Sequence, residues 1–192
     1  LAEGRSLLLQ RAKLHAWSGD WDQALRLYES AAAQAPLRLP HAATWLAASA
    51  ILHDSKCAVE LLKAIPESEA CAHAGSELYQ RWNRPLLALD LLRQDRGRPG
   101  RTPAIRLLDL ILEARYGDVN QAEVLATTLS VGLPGVEATL AYGLFMRSIH
   151  AASTEAGYAH DTALLRRALH WIGRAPQPWN SSLACLHARS HI

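Results

Sequence analysis

The chain has 192 residues, 49% hydrophobic and 20% charged, enough to bury a core and too apolar for disorder over most of its length. Its formal net charge of +2, from 20 basic and 18 acidic residues, lacks the basic excess of a protein that neutralises many phosphates. The longest mostly apolar stretch, residues 42–52, falls far short of the ~20 residues that span a bilayer, so no membrane insertion is expected.

Leu and Ala dominate and β-branched runs are scarce, so the elements read as helices. The first reaches Gly19, where the segment Gly19-Asp20-Trp21-Asp22-Gln23-Ala24 predicts a tight turn. Gly19 suits a left-handed helix end, Asp20 an N-cap, and Gln23 the reciprocal position of a capping box. Beyond it Trp21, Ala24, Leu25, Tyr28, Ala31 and Ala32 share one helical face, and Pro36 stops the run. Residues 5–36 therefore form a first helical hairpin, followed by hairpins over 40–66 and 68–94. In the third, Asn83-Arg84-Pro85 replaces the Gly-Asp turn.

A connector with Arg93, Arg96, Arg98 and Arg101 leads to Thr102-Pro103, a cap followed by proline at the first helical position. Residues 105–114 are apolar over much of their circumference and should lie between neighbours. Gly117-Asp118-Val119-Asn120-Gln121-Ala122 repeats the first turn, with glycine again expected to be left-handed, and Pro134 closes a fourth hairpin over 102–134. A fifth spans 136–174 with a longer turn over 154–160, and 180–191 reads as a terminal helix. Gly19 to Pro36 and Gly117 to Pro134 are both 17 residues apart. Ala24, Ala58, Ala88 and Ala122, placed for the hairpin crossings, are spaced by 34, 30 and 34.

A 34-residue period with Gly19, Asp20, Trp21, Ala24, Tyr28, Ala31 and Pro36 in one unit, and Gly117, Asp118, Ala122 and Pro134 in another, resembles the tetratricopeptide repeat family. The resemblance implies an all-α, right-handed α-solenoid of about five hairpins plus a C-terminal helix in a single domain. It also implies a non-catalytic scaffold that docks a protein partner, as a subunit of a larger assembly. In that register the groove residues are Lys13, Trp17, His73, Glu77, Arg81 and Arg115. The carboxylate-gripping set of some tetratricopeptide domains is missing, because Leu9, Lys13, Ala43 and Ala47 lack its paired asparagines.

The sister pentatricopeptide family resembles the chain at Val131-Gly132-Leu133-Pro134-Gly135 and Trp179-Asn180-Ser181-Ser182-Leu183, which makes an RNA-associated protein of an organellar ribonucleoprotein the alternative. Its base-reading positions fall on Gln10, Thr44, Ala74 and Leu108, and two of these cannot read a base edge.

Cys57, Cys71 and Cys185 form no disulfide framework, which points to buried thiols in a reducing compartment, the cytoplasm or the mitochondrial matrix. The start at Leu1 instead of Met is compatible with a fragment or with a processed organellar chain. Zinc needs about four ligands, whereas His53 with Cys57, Cys71 with His73, and Cys185 with His187 and His191 supply no such set, so no metal or cofactor is expected. No phosphate loop, nucleophile elbow or metalloprotease motif occurs, and no enzyme is expected. Arg93, Arg96, Arg98 and Arg101 suit a phosphate or an acidic surface, against the plainer reading of a solvated connector. Arg166-Arg167 invites the same pair of readings. Trp17, Trp45, Trp82, Trp171 and Trp179 are expected to fill gaps between hairpins, with Trp17 also facing the groove beside Lys13.

Overall fold

The structure, a computed structural model, describes residues 4–67, 69–98, 101–152 and 161–177, and the side chains of all of these but 150–152. Among the described residues there are ten α-helices and no strand. They are α1 (Arg5–Ser18), α2 (Trp21–Ala32), α3 (His41–Leu52), α4 (Ser55–Leu61), α5 (Ala70–Gln80), α6 (Pro85–Gln94), α7 (Pro103–Tyr116), α8 (Val119–Leu129), α9 (Val136–Ala152) and α10 (Thr162–Arg174), with a single 3-10 turn at Leu62–Ala64. Two helices fall inside each of the five spans read as hairpins. The expected terminal helix and the longer turn over 154–160 lie outside the described residues. The chain forms two compact units, Leu1–Ile105 and Arg106–Ile192.

The first unit is organised around α3. Residues 42–50 of this helix are all buried, and their alanines let α1, α2, α4, α5 and α6 approach it from every side. The hairpin partners α1 with α2, α3 with α4, and α5 with α6 lie together. Each pair also meets the next, through α2 with α3, α3 with α5 and α4 with α6. Ala24, Ala58 and Ala88 are fully buried, as their spacing implied.

Local chemistry explains where these helices stop. Gly19 is left-handed at φ 82°, its N–H reaches the Ala16 carbonyl, and the Asp20 N–H reaches the His15 carbonyl, a Schellman closure. The Asp20 carboxylate then accepts the Gln23 N–H at 3.4 Å and starts α2. The far end of α2 is closed by Arg5, whose guanidinium donates to the carbonyls of Ala31, Ala35 and Pro36. At the third turn Asn83 takes the left-handed conformation at φ 49°, and Pro85 opens α6.

The second unit packs Leu110 and Ala114 of α7, Ala122 and Ala126 of α8, Leu140 and Leu144 of α9, and Ala168 and Trp171 of α10 into one core. Its first turn departs from the expectation for Gly117. Among the described residues the left-handed glycines are Gly19 and Gly135. Gly117 instead keeps a helical hydrogen bond to the Glu113 carbonyl, and the buried Glu113 carboxylate accepts the Asp118 N–H at 2.8 Å. A side chain closes this helix where backbone geometry closes α1. Asp118 still caps α8, accepting from the Asn120 and Gln121 N–H groups.

Candidate functional site

Five of the six expected groove residues come together in the first unit. Lys13 and Trp17 lie one turn apart on α1, with the Lys13 Nζ 4.7 Å from the Trp17 ring centre. Arg81, at the end of α5, places its guanidinium carbon 5.5 Å from the same ring. Either contact is worth about 0.5–1 kcal/mol at an exposed site. His73, Glu77 and Arg81 recur every fourth residue on α5, one face of a helix. Ser76, Glu77, Gln80 and Arg81 line a recess of about 330 Å³. The sixth residue, Arg115, belongs to the second unit, where its guanidinium lies 5.0 Å from the Tyr116 ring centre.

The floor of this cleft is polar. The hydroxyl of Thr44, buried on α3, donates to the Glu77 carboxylate at 3.1 Å. Burial raises the Glu77 pKa, and the opposing pull of that hydrogen bond and of Arg81, His73 and Lys13 does not offset it. Tyr28 of α2 lies beneath, fully buried, its hydroxyl out of hydrogen-bonding geometry with any neighbour. Its pKa is pushed up to about 12, chiefly by burial, with the Glu77 charge adding a smaller push. His41, at the start of α3, is held below its ordinary pKa by burial and by the charges of Lys13 and Arg5.

Trp17 is 52% exposed, so it does not fill a gap between hairpins. Trp45 and Trp171 are buried as expected, and Trp82 packs edge-on against Trp21 at 4.9 Å. Trp179 lies outside the described residues.

The arginine connector is less open than its composition suggested. Asp95 is buried at its centre, with the Arg98 Nε 3.9 Å and the Arg101 Nε 3.6 Å from its carboxylate oxygens. Arg101 also donates to the Leu92 carbonyl. Arg93 is exposed and Arg96 half-buried. Arg98 and Arg101 thus direct their charge onto an internal acid, which sequence reasoning missed because Asp95 sits among arginines in an ordinary-looking linker. Arg166 is exposed, while Arg167 binds Glu123 and Asn120.

Cys71 is buried, but Cys57 is exposed beside the Asp54 cap, so the expectation of buried thiols holds for one of the two described. Among the described residues no three His, Cys, Asp or Glu side chains are grouped as metal ligands. Cys185, His187 and His191 lie outside them. No described helix is long and apolar enough to cross a membrane. The chain matches no family model, no curated protein and no solved structure.

Proposed function

We propose that this chain is a non-catalytic scaffold of tetratricopeptide-like hairpins that docks a protein partner and serves as a subunit of a larger assembly. The observation that carries the reading is Trp17, a large aromatic half out in solvent and flanked by two cationic side chains of different helices. Aromatic and arginine side chains are the groups that most often dominate binding energy at protein interfaces. The contact of each hairpin with the next in the first unit is compatible with a right-handed α-solenoid, with the exposed parts of α1 and α5 offering the binding surface. An RNA-reading alternative fits less well, because Thr44, one of its base-reading positions, is buried with its hydroxyl turned to Glu77.

The test is a photo-crosslinking amino acid placed at Trp17, and separately at the exposed Glu29 on α2, in the full chain within cells that carry the natural protein. The expected result is a defined protein adduct from position 17, absent from position 29 and lost with Arg81→Ala. Adducts to RNA, or equal labelling from both positions, would reject the scaffold reading.

A further inference from the structure

The cleft contains more positive charge than it neutralises. Lys13, His73 and Arg81 form no ion pair among the described residues, although all three act electrostatically on Glu77. Lys13 and Arg81 rest instead on the Trp17 ring, contacts that a better partner can replace at small cost. Glu77 is held by the Thr44 hydroxyl, half-buried at the edge of the Ser76–Arg81 recess. Two cations, a flat apolar surface and a small recess therefore surround one internal carboxylate.

We infer that this cleft takes an acidic segment of a partner protein. The segment's carboxylates meet Lys13 and Arg81 and an apolar side chain lies against Trp17, while Glu77 is a built-in competitor for the same cations. The inference rests on the scaffold reading above and adds the chemistry of the partner. Charge complementarity selects an acidic peptide over nucleic acid. The cationic set is two or three residues wide, the chain's net charge is only +2, and Glu77 would oppose a continuous run of phosphates.

Glu77 also makes the cleft sensitive to pH. The groups facing it are Lys13 from α1, Tyr28 from α2, Thr44 from α3, and His73 and Arg81 from α5. Burial raises the Glu77 pKa, so its carboxyl takes up a proton at a higher pH than an ordinary glutamate and its competing charge disappears as the pH falls, while Tyr28, pushed up to about 12, stays neutral. Loss of that charge favours an anionic ligand, and Glu77→Gln removes the charge at every pH.

The probe is a fluorescein-labelled pentapeptide of four glutamates around one phenylalanine, amidated at its C-terminus. It is compared with its glutamine analogue and with a labelled oligouridine of equal charge, by anisotropy on the full chain. At pH 7.5 the acidic peptide should bind in preference to both controls. Lys13→Ala and Arg81→Ala should each weaken it by about three- to tenfold, and Glu77→Gln should tighten it by a similar factor. Lowering the pH stepwise towards the raised Glu77 pKa should tighten binding more in the wild type than in Glu77→Gln. The inference is overturned by equal binding of the glutamine analogue, by preference for oligouridine, by unchanged or weaker binding in Glu77→Gln, or by no binding to either protein at millimolar peptide. If position 17 nevertheless crosslinks to a protein, the scaffold reading survives and only the acidic-partner inference falls.

Discussion

Ala114 on α7 and Gly143 on α9 approach so closely that a Cβ built on Gly143 falls 2.6 Å from the Ala114 Cβ. The Ile111 carbonyl oxygen lies 3.3 Å from the same point, so backbone as well as side chain blocks any added atom. Glycine here sets the distance between two helices of the second unit. Gly143→Ala should therefore destabilise the protein by about 1–3 kcal/mol through overpacking, although alanine is the better helix former. Urea unfolding measures it. Gly173→Ala, near the end of α10 where a Cβ meets nothing within 4 Å, is the control and should stabilise the protein by up to about 1 kcal/mol.

The second unit is also tied by Glu123 of α8, which accepts from the Arg167 Nε at 2.9 Å, the Arg167 Nη2 at 2.7 Å and the Trp171 indole at 3.2 Å. The paired Arg167 hydrogen bonds hold the Glu123 carboxyl below its ordinary pKa of 4.5. Its contribution is therefore complete above that ordinary value and is lost as pH falls through the lowered folded value. Glu123→Ala should cost about 1–2 kcal/mol near neutral pH, the lower end being set by the half-exposed Arg167. The loss should shrink in acid. Arg167→Lys should not rescue the wild-type value, because lysine lacks the planar fork that spans both oxygens. Thermal unfolding from pH 3 to 7 checks both points.

Short-range chemistry was legible from sequence, and long-range pairing was not. Gly19-Asp20 foretold a left-handed helix end and a cap because both depend on residues within one turn. The burial of Ala24, Ala58, Ala88 and Ala122 agreed with their spacing. Gly117 misled because Glu113, a side chain on the preceding turn, took over the task of closing α7. In the cleft, the fourfold spacing of His73, Glu77 and Arg81 marked one face of α5. The Thr44 hydroxyl beneath Glu77 comes from 33 residues away and leaves no local trace. Arg115 was placed by repeat register alone, and the division of the chain at Ile105 puts it in the other unit.

Asp95 tests whether the arginine connector is folded or merely solvated. It is 1% exposed, and the side chain of Arg101 beside it is 9% exposed. Removing one partner of such a pair leaves a buried charge without compensation, so Asp95→Ala should cost about 2–4 kcal/mol. Arg93→Ala, at an exposed position where solvent screens its contacts, should cost less than Asp95→Ala. Denaturant titration in low and high salt separates the cases, since a buried pair is screened weakly. A near-neutral Asp95→Ala would return the segment to a solvated linker.

Glu77 gives the first unit a pH dependence of opposite sign to that of Glu123. Burial raises its folded pKa above the ordinary 4.5, so the folded state holds the proton more tightly than the unfolded chain does. The resulting stabilisation is fully present below the ordinary value and is lost as pH rises through the raised folded value. Glu77→Gln keeps the shape and stays neutral, so it should unfold at a higher temperature than wild type at pH 7.5 and at the same temperature near pH 4. Thr44→Val removes the donor that favours the charged form and should be more damaging at pH 7.5 than at pH 4. A Glu77→Gln variant no more stable than wild type at pH 7.5 would mean that Arg81, His73 and Lys13 stabilise the carboxylate by more than burial costs it. Melting curves of the three proteins across that range decide which force prevails.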